Sequence, residues 1–148
     1  MNDCTTANRV DLFSVEAPVN KWIVSEYNTA ITKTTAAIES YRFNEAADVL
    51  YHFIWHSYCD WYVELIKPSL GIDDSDVAAE IKATASTILQ GTLRLLHPFM
   101  PYLTEELNQK IFQSDDLLIA ANWPQATIDK DRDVINDIQF LISLITEV

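Results

Sequence analysis

From Tyr41 to Pro68 the chain reads YRFNEAADVLYHFIWHSYCDWYVELIKP, twenty-eight residues with no glycine and no proline before the last. Eight of the chain's sixteen Phe, Trp and Tyr residues fall inside it. Glycine and proline are the strongest local punctuation in a chain, and a run without them has nowhere to turn. Leu50, Ile54, Tyr58, Trp61 and Leu65 recur at helical spacing on one side, and Tyr51, Trp55, Tyr62 and Ile66 on another. A helix that is apolar nearly all round must be enclosed on several sides. The rest of the chain must therefore supply partners for it. Asn44 is placed to cap its start by accepting from the free first-turn amides, and Lys67 and Pro68 should stop it after about Ile66.

The partners are helical too. Pro18 suits a first turn, and Ile23, Tyr27, Ile31, Thr34 and Ile38 then mark a first helix over about 18–39. After the turn-forming SLGIDDSD, Asp74 or Ser75 can cap a third helix carrying Val77, Ile81, Thr84, Ile88, Thr92, Leu95 and Leu96. That helix ends at HPFMP. Pro101 opens a fourth, PYLTEELNQKIF, with Leu103, Leu107 and Ile111 expected inward. DDLLIAANWP reads as an extended strap across the bundle, and Val134, Ile138, Leu141 and Ile145 restart a helical period from about residue 131. The expected fold is all-α, an antiparallel bundle of four main helices with a short extended strap and a trailing helix. Its organisation is a leader or end of an upstream segment over 1–16, the bundle over 17–125, and the start of a C-terminal extension over 126–148.

A chain of 148 residues can bury about 68 to 70% of the surface its unfolded form exposes, enough for one domain with a real core. No apolar run approaches the roughly 20 residues of a membrane span, and the N-terminus lacks the basic-then-apolar order of a secretory signal. The expectation is a soluble, cytoplasmic protein with no membrane partner. Cys4 and Cys59 read as free thiols, having neither the number nor the setting of a disulfide framework. The net charge of -12 excludes a protein that coats nucleic acid through clustered cations. Residues 17–113 carry 7 basic and 12 acidic side chains, whereas the flanks carry 3 and 10, so much of the acidity lies outside the bundle.

Some residues carry possible chemistry. His52, His56 and Asp60 stand at i, i+4 and i+8, with Cys59 beside them, a set with geometric potential for zinc or iron. No Glu has a His three residues later, as a di-iron bundle requires, and the sequence assigns no metal ligand. Asp60 and Glu64 share a face, a pairing that occurs more often as surface acids, one bridged to Lys67, than as an acid and base pair. With Gly71 and Gly91 the only glycines, no phosphate-cradling loop can be built, and there is no nucleophile elbow. No catalytic residue is expected in this chain. For RNA the relevant pattern is a cation beside aromatics that can stack on unpaired bases, and Tyr41, Arg42 and Phe43 fit it at the corner between the first two helices.

Taken together, NKWIVSEYN (20–28), the run 41–68, LLHPFMPYLTEEL (95–107) and NWP (122–124) resemble the helical anticodon-binding domain of class I aminoacyl-tRNA synthetases over about residues 12–125. The ending CDWYVELIKP favours the valyl branch over the isoleucyl. The resemblance implies a domain that grips the anticodon stem-loop of a tRNA within a monomeric, ATP-dependent ligase. The catalytic fold that uses the ATP would lie upstream, with no cofactor in this segment, and a C-terminal region would follow. The family's Trp after TEEL is replaced here by Asn108, which removes a large aromatic anchor. Trp22, Trp55, Trp61, Tyr62, Pro98 and Trp123 are expected as packing residues. The tRNA-binding residues are expected to be Arg42 for phosphate contact, Phe43 for stacking, and Lys33 and Asn44 in support. Two other readings remain: a stand-alone helical interaction module, which demands a substantial exposed apolar patch, and a metal-binding bundle.

Overall fold

A computed structural model of the chain describes residues 11–12, 14–70, 76–127 and 132–146. Among them the structure is all-helical: α1 Pro18–Glu39, α2 Phe43–His52, a π-helical segment Phe53–Tyr62, α3 Val63–Leu70, α4 Asp76–Leu96, α5 Pro101–Phe112, a single 3₁₀ turn Leu118–Ala120, and α6 Arg132–Thr146. This is the expected bundle with its strap and trailing helix. No helix among the described residues is long and apolar enough to cross a membrane. The expected caps Asp74 and Ser75 fall outside the described residues, as does most of the expected leader.

The long second helix is continuous from Phe43 to Leu70 but changes its winding in the middle. The Val63 amide donates to the Tyr58 carbonyl five residues back, the bonding of a π-turn. Each wider turn takes up an extra residue, so the inward face slips from the one that α-helical spacing predicts. Phe53 and Tyr62, nine residues apart, are the enclosed members of this segment, whereas Trp55 is 56% exposed. The expectation of Trp55 as a packing residue is thereby overturned. Trp22 and Tyr62 are buried and Trp61 and Trp123 partly so, but Pro98 is exposed. Pro68 also fails to stop the helix at Ile66. It lies inside α3, whose end follows two residues later, so its missing donor affects only the last turn.

Two polar nodes fix how the helices meet. The Glu80 carboxylate on α4 accepts from the Glu16 and Ala17 amides at 3.1 and 3.0 Å, capping the free donors at the start of α1 from another helix. It also accepts from Asn20 Nδ2 at 2.7 Å, while Asn20 Oδ1 accepts from the Tyr62 hydroxyl at 2.8 Å. Asn20 and Tyr62 are fully buried, so this chain of bonds satisfies groups that would otherwise be costly. Farther along α1, Tyr27 lies against Gly91 of α4 so closely that a methyl group there would sit 1.8 Å from the phenol oxygen. Asn20 beside Glu80 and Tyr27 beside Gly91 set α1 and α4 parallel. Their C-terminal ends, and the corners that follow them, therefore lie at the same end of the bundle.

The strap is held by side chains of α1. Trp123 Nε1 donates to Thr35 Oγ1 at 2.9 Å, and Asn28 accepts from the Thr127 amide and donates to its hydroxyl, both at 2.9 Å. On α5 the buried face is Thr104, Asn108 and Phe112, with Leu103 turned outward. Asn108, in the place of the family's Trp, is buried and donates to the Asp116 carbonyl at 3.3 Å, tying the turn that follows α5. The Leu118 amide reaches back to the Glu105 carboxylate at 3.1 Å, and Leu118 joins Leu93 and Phe112 in a small second core. In α6 Ile138 is inward as expected, but its inward partners are Ile135 and Ile142, whereas Leu141 and Ile145 face out.

Candidate nucleic-acid interface

The corner between α1 and α2 is a tight helix stop. The Tyr41 amide donates to the Ile38 carbonyl at 2.9 Å and the Arg42 amide to the Ala37 carbonyl at 2.8 Å, the pair of bonds that closes a Schellman motif. The residue after the C-cap in that motif adopts a left-handed backbone, a position usually held by glycine. Here it is Tyr41, at φ 58°. The turn throws its ring outward, 82% exposed, and sets it edge-on to Phe43 with centroids 6.4 Å apart and planes at 79°.

Phe43 opens α2 and is 53% exposed, a large apolar face in solvent at the start of the helix. Arg42 precedes it with its side chain half exposed and Nη1 2.8 Å from Glu45 Oε2. An exposed pair of this kind is worth little and can open to another partner. Asn44 lies exposed beside them but does not cap: the N-cap position is Arg42, and no side chain bonds the free amides there. The expected capping role of Asn44 is therefore corrected, because the helix begins one residue before it. Lys33 lies lower on α1, on the wall of an open cavity of about 380 Å³ between α1 and α2, together with Glu26, Glu45, Asp48 and His52. Arg42, Phe43 and Asn44 are thus brought together, and Lys33 is linked to them only through the wall that includes Glu45. With three carboxylates around one lysine, that cavity repels phosphate.

Sequence reasoning missed part of this surface. Phe43, Ala47, Tyr51 and Trp55 follow one another at four-residue steps and are all exposed, and the Tyr51 and Trp55 rings lie nearly parallel, 6.3 Å apart at 7°. The four-residue period was readable, but α-helical spacing alone does not say which side of an apolar helix faces solvent. Tyr102, 92% exposed, and Met100 stand on the second corner, between α4 and α5, at the same end of the bundle. That corner is stiffened from within: the buried Thr104 hydroxyl meets His97 Nδ1 at 2.9 Å and donates to the Met100 carbonyl at 2.9 Å.

The side chains first suggestive of a metal are spread along a solvent-facing edge. The His52 and His56 rings are 4.5 Å apart, and His56 Nδ1 is 3.5 Å from Asp60 Oδ2 with both half exposed. Partial burial, and then the Asp60 charge, push the Cys59 thiol up, away from the thiolate that metals bind. Among the described residues no three His, Cys, Asp or Glu side chains are grouped to hold an ion. Glu64 pairs with Lys67 on the surface.

Comparison with known proteins gives the family of the whole chain. Residues 20–148 match the family model described as the anticodon-binding domain of tRNA ligase. The valine-tRNA ligase of Caulobacter vibrioides is 40% identical across the whole chain, that of Brucella suis 42% over 88% of it, and that of Nitrobacter winogradskyi 43% over 84%. The chain spans 17%, 15% and 13% of the lengths of those three relatives.

Proposed function

Because the chain belongs to the family of anticodon-binding domains of tRNA ligases, we propose that it recognises the anticodon stem-loop of a valine tRNA as one part of a valine-tRNA ligase. The observation that carries the reading is the α1/α2 corner, where an exposed Phe43 ring and the half-exposed Arg42 stand side by side at one end of the bundle. Phe43 offers a face on which an unpaired base can stack, and Arg42 exchanges Glu45 for a backbone phosphate. Asn44 presents an amide able to donate and accept at a base edge, whereas Lys33, among Glu26, Glu45 and Asp48, adds little to the grip on phosphate.

Activation of valine with ATP belongs to the remainder of such an enzyme, preceding this segment in the chain. The domain works as a monomer in the cytoplasm. A stand-alone interaction module is the lesser reading: the exposed Tyr51 and Trp55 pair favours it, but the family match over residues 20–148 does not.

The test is titration of the chain with a hairpin RNA carrying the anticodon loop of a valine tRNA, and with the same hairpin bearing a swapped anticodon. Preference for the valine loop is expected. Equal affinity for both would refute anticodon recognition. Within that assay Phe43→Ala should weaken binding by about 1–3 kcal/mol, the usual worth of one stacked base. Unchanged affinity in a folded variant would remove Phe43 from the site.

A further inference from the structure

Tyr41 occupies a backbone state that disfavours it. Its φ of 58° is the left-handed region, where a bulky side chain crowds its own backbone and glycine does not. Glycine would close the same helix stop without that strain. The usual compensation for such strain is burial of the side chain, and Tyr41 has almost none, with its ring 82% exposed. The fold gains from a tyrosine here only the edge contact with Phe43. What the left-handed turn does achieve is direction: it carries the phenol clear of the bundle and sets it nearly perpendicular to Phe43. Two rings at such an angle form a corner in which a flat base laid on one ring meets the other edge-on. The Tyr41 hydroxyl adds a donor and an acceptor at that wall.

We propose that Tyr41 is a second recognition residue, held in a strained backbone so that its ring and that of Phe43 together seat one unpaired base of the anticodon loop. This rests on the anticodon reading given above. It adds to that reading a residue whose cost to the fold is tied to binding, the pattern expected when strain is kept at a functional site.

Stability and binding should then move in opposite directions. In Tyr41→Gly the strain is relieved, so the urea midpoint of the chain should rise, while affinity for the valine anticodon hairpin should fall about 5- to 150-fold, the equivalent of one lost stacking contact. Tyr41→Phe keeps the ring and should keep most of the affinity. A hairpin whose loop is closed by base pairing offers no unpaired base, and neither variant should alter its weak binding. A Tyr41→Gly chain that binds like wild type overturns the proposal and leaves the anticodon reading standing, provided that Phe43→Ala still weakens binding. A Tyr41→Gly chain that loses both stability and affinity also overturns it, because Tyr41 would then be a structural residue. A wild-type chain with no preference for the valine hairpin overturns both.

Discussion

Replacing Gly91 by alanine tests the packing that brings the two corners to one end. In an ordinary helix interior this change stabilises by about 1 kcal/mol, since alanine has the better propensity. Here the added methyl would lie 1.8 Å from the Tyr27 hydroxyl oxygen and 2.8 Å from the ring carbon that bears it. Tyr27 cannot easily yield: it is 4% exposed and packs on Phe53 at 5.7 Å. Small-to-large changes in a filled core cost about 1–3 kcal/mol. The ceiling is complete expulsion of the ring, which forfeits about 150–250 Å² of burial at about 25 cal/mol/Å², or about 4–6 kcal/mol. Less the propensity gain, the overpacking cost leaves a net loss of up to about 2 kcal/mol.

Urea unfolding followed by tryptophan fluorescence reads it directly. With a slope of about 1–3 kcal/mol/M, that loss lowers the midpoint by about 1 M. Adding Tyr27→Phe removes the atom at 1.8 Å and leaves the one at 2.8 Å, so the double variant should recover about 1 kcal/mol relative to additivity. A Gly91→Ala chain at least as stable as its parent would refute the close approach of α1 to α4, and with it the alignment of the corners.

Arg42→Ala should flatten the salt dependence of RNA binding by about 0.7 in log-log slope, as expected for one phosphate contact on a single strand. An unchanged slope rejects that role. Glu45→Gln releases Arg42 and removes a charge that repels phosphate, so affinity at low salt should rise, and a fall would show that the Arg42–Glu45 pair itself positions the guanidinium. Asn28→Ala leaves the Thr127 amide without its acceptor and should cost about 1–3 kcal/mol, seen as faster amide exchange in the strap; unaltered exchange would mean that Trp123 holds the strap alone. Burial is the main cause that raises the Tyr27 and Tyr62 phenols above their usual range. Above about pH 10 the unfolded chain releases those protons and the folded one does not, so stability should be full below that pH and fall above it, as pH-dependent urea midpoints would show.

The parts of this fold legible in sequence are those where period and packing agree. Ile23, Tyr27, Ile31 and Thr34 were placed inward on α1 and are buried, since a regular α-helix keeps its face. Trp55 was placed wrongly because the chain around it winds as a π-helix, and nothing in a list of apolar residues announces a change of period. Asn44 was assigned as a cap for a related reason: cap chemistry names the residue type, but the Schellman turn at Tyr41 decides where α2 starts. Arg42 and Phe43 were legible as a motif, and their exposure followed from the corner. Tyr41 was legible as an aromatic of the same motif, but not its left-handed turn, because a backbone angle is not written in the residue type.

Charge limits how such a chain could hold RNA. Three of its described cations, Arg42, Lys67 and Lys110, are already paired with Glu45, Glu64 and Glu106. The one lysine on the α1/α2 cavity wall faces three carboxylates. In a chain of net charge -12, counterion release can supply only a small part of the binding energy. Stacking does not share that weakness, because every base has a face and an aromatic ring carries no charge to be cancelled. The exposed rings of Tyr41, Phe43 and Tyr102, at one end of the bundle, are therefore where affinity must come from if the proposed function holds. That partition has a consequence: removing a ring should weaken binding at every salt concentration, whereas removing Arg42 should matter only at low salt. A ring deletion whose effect vanished at high salt would instead point to phosphate contacts disturbed at a distance, and would count against stacking as the source of affinity.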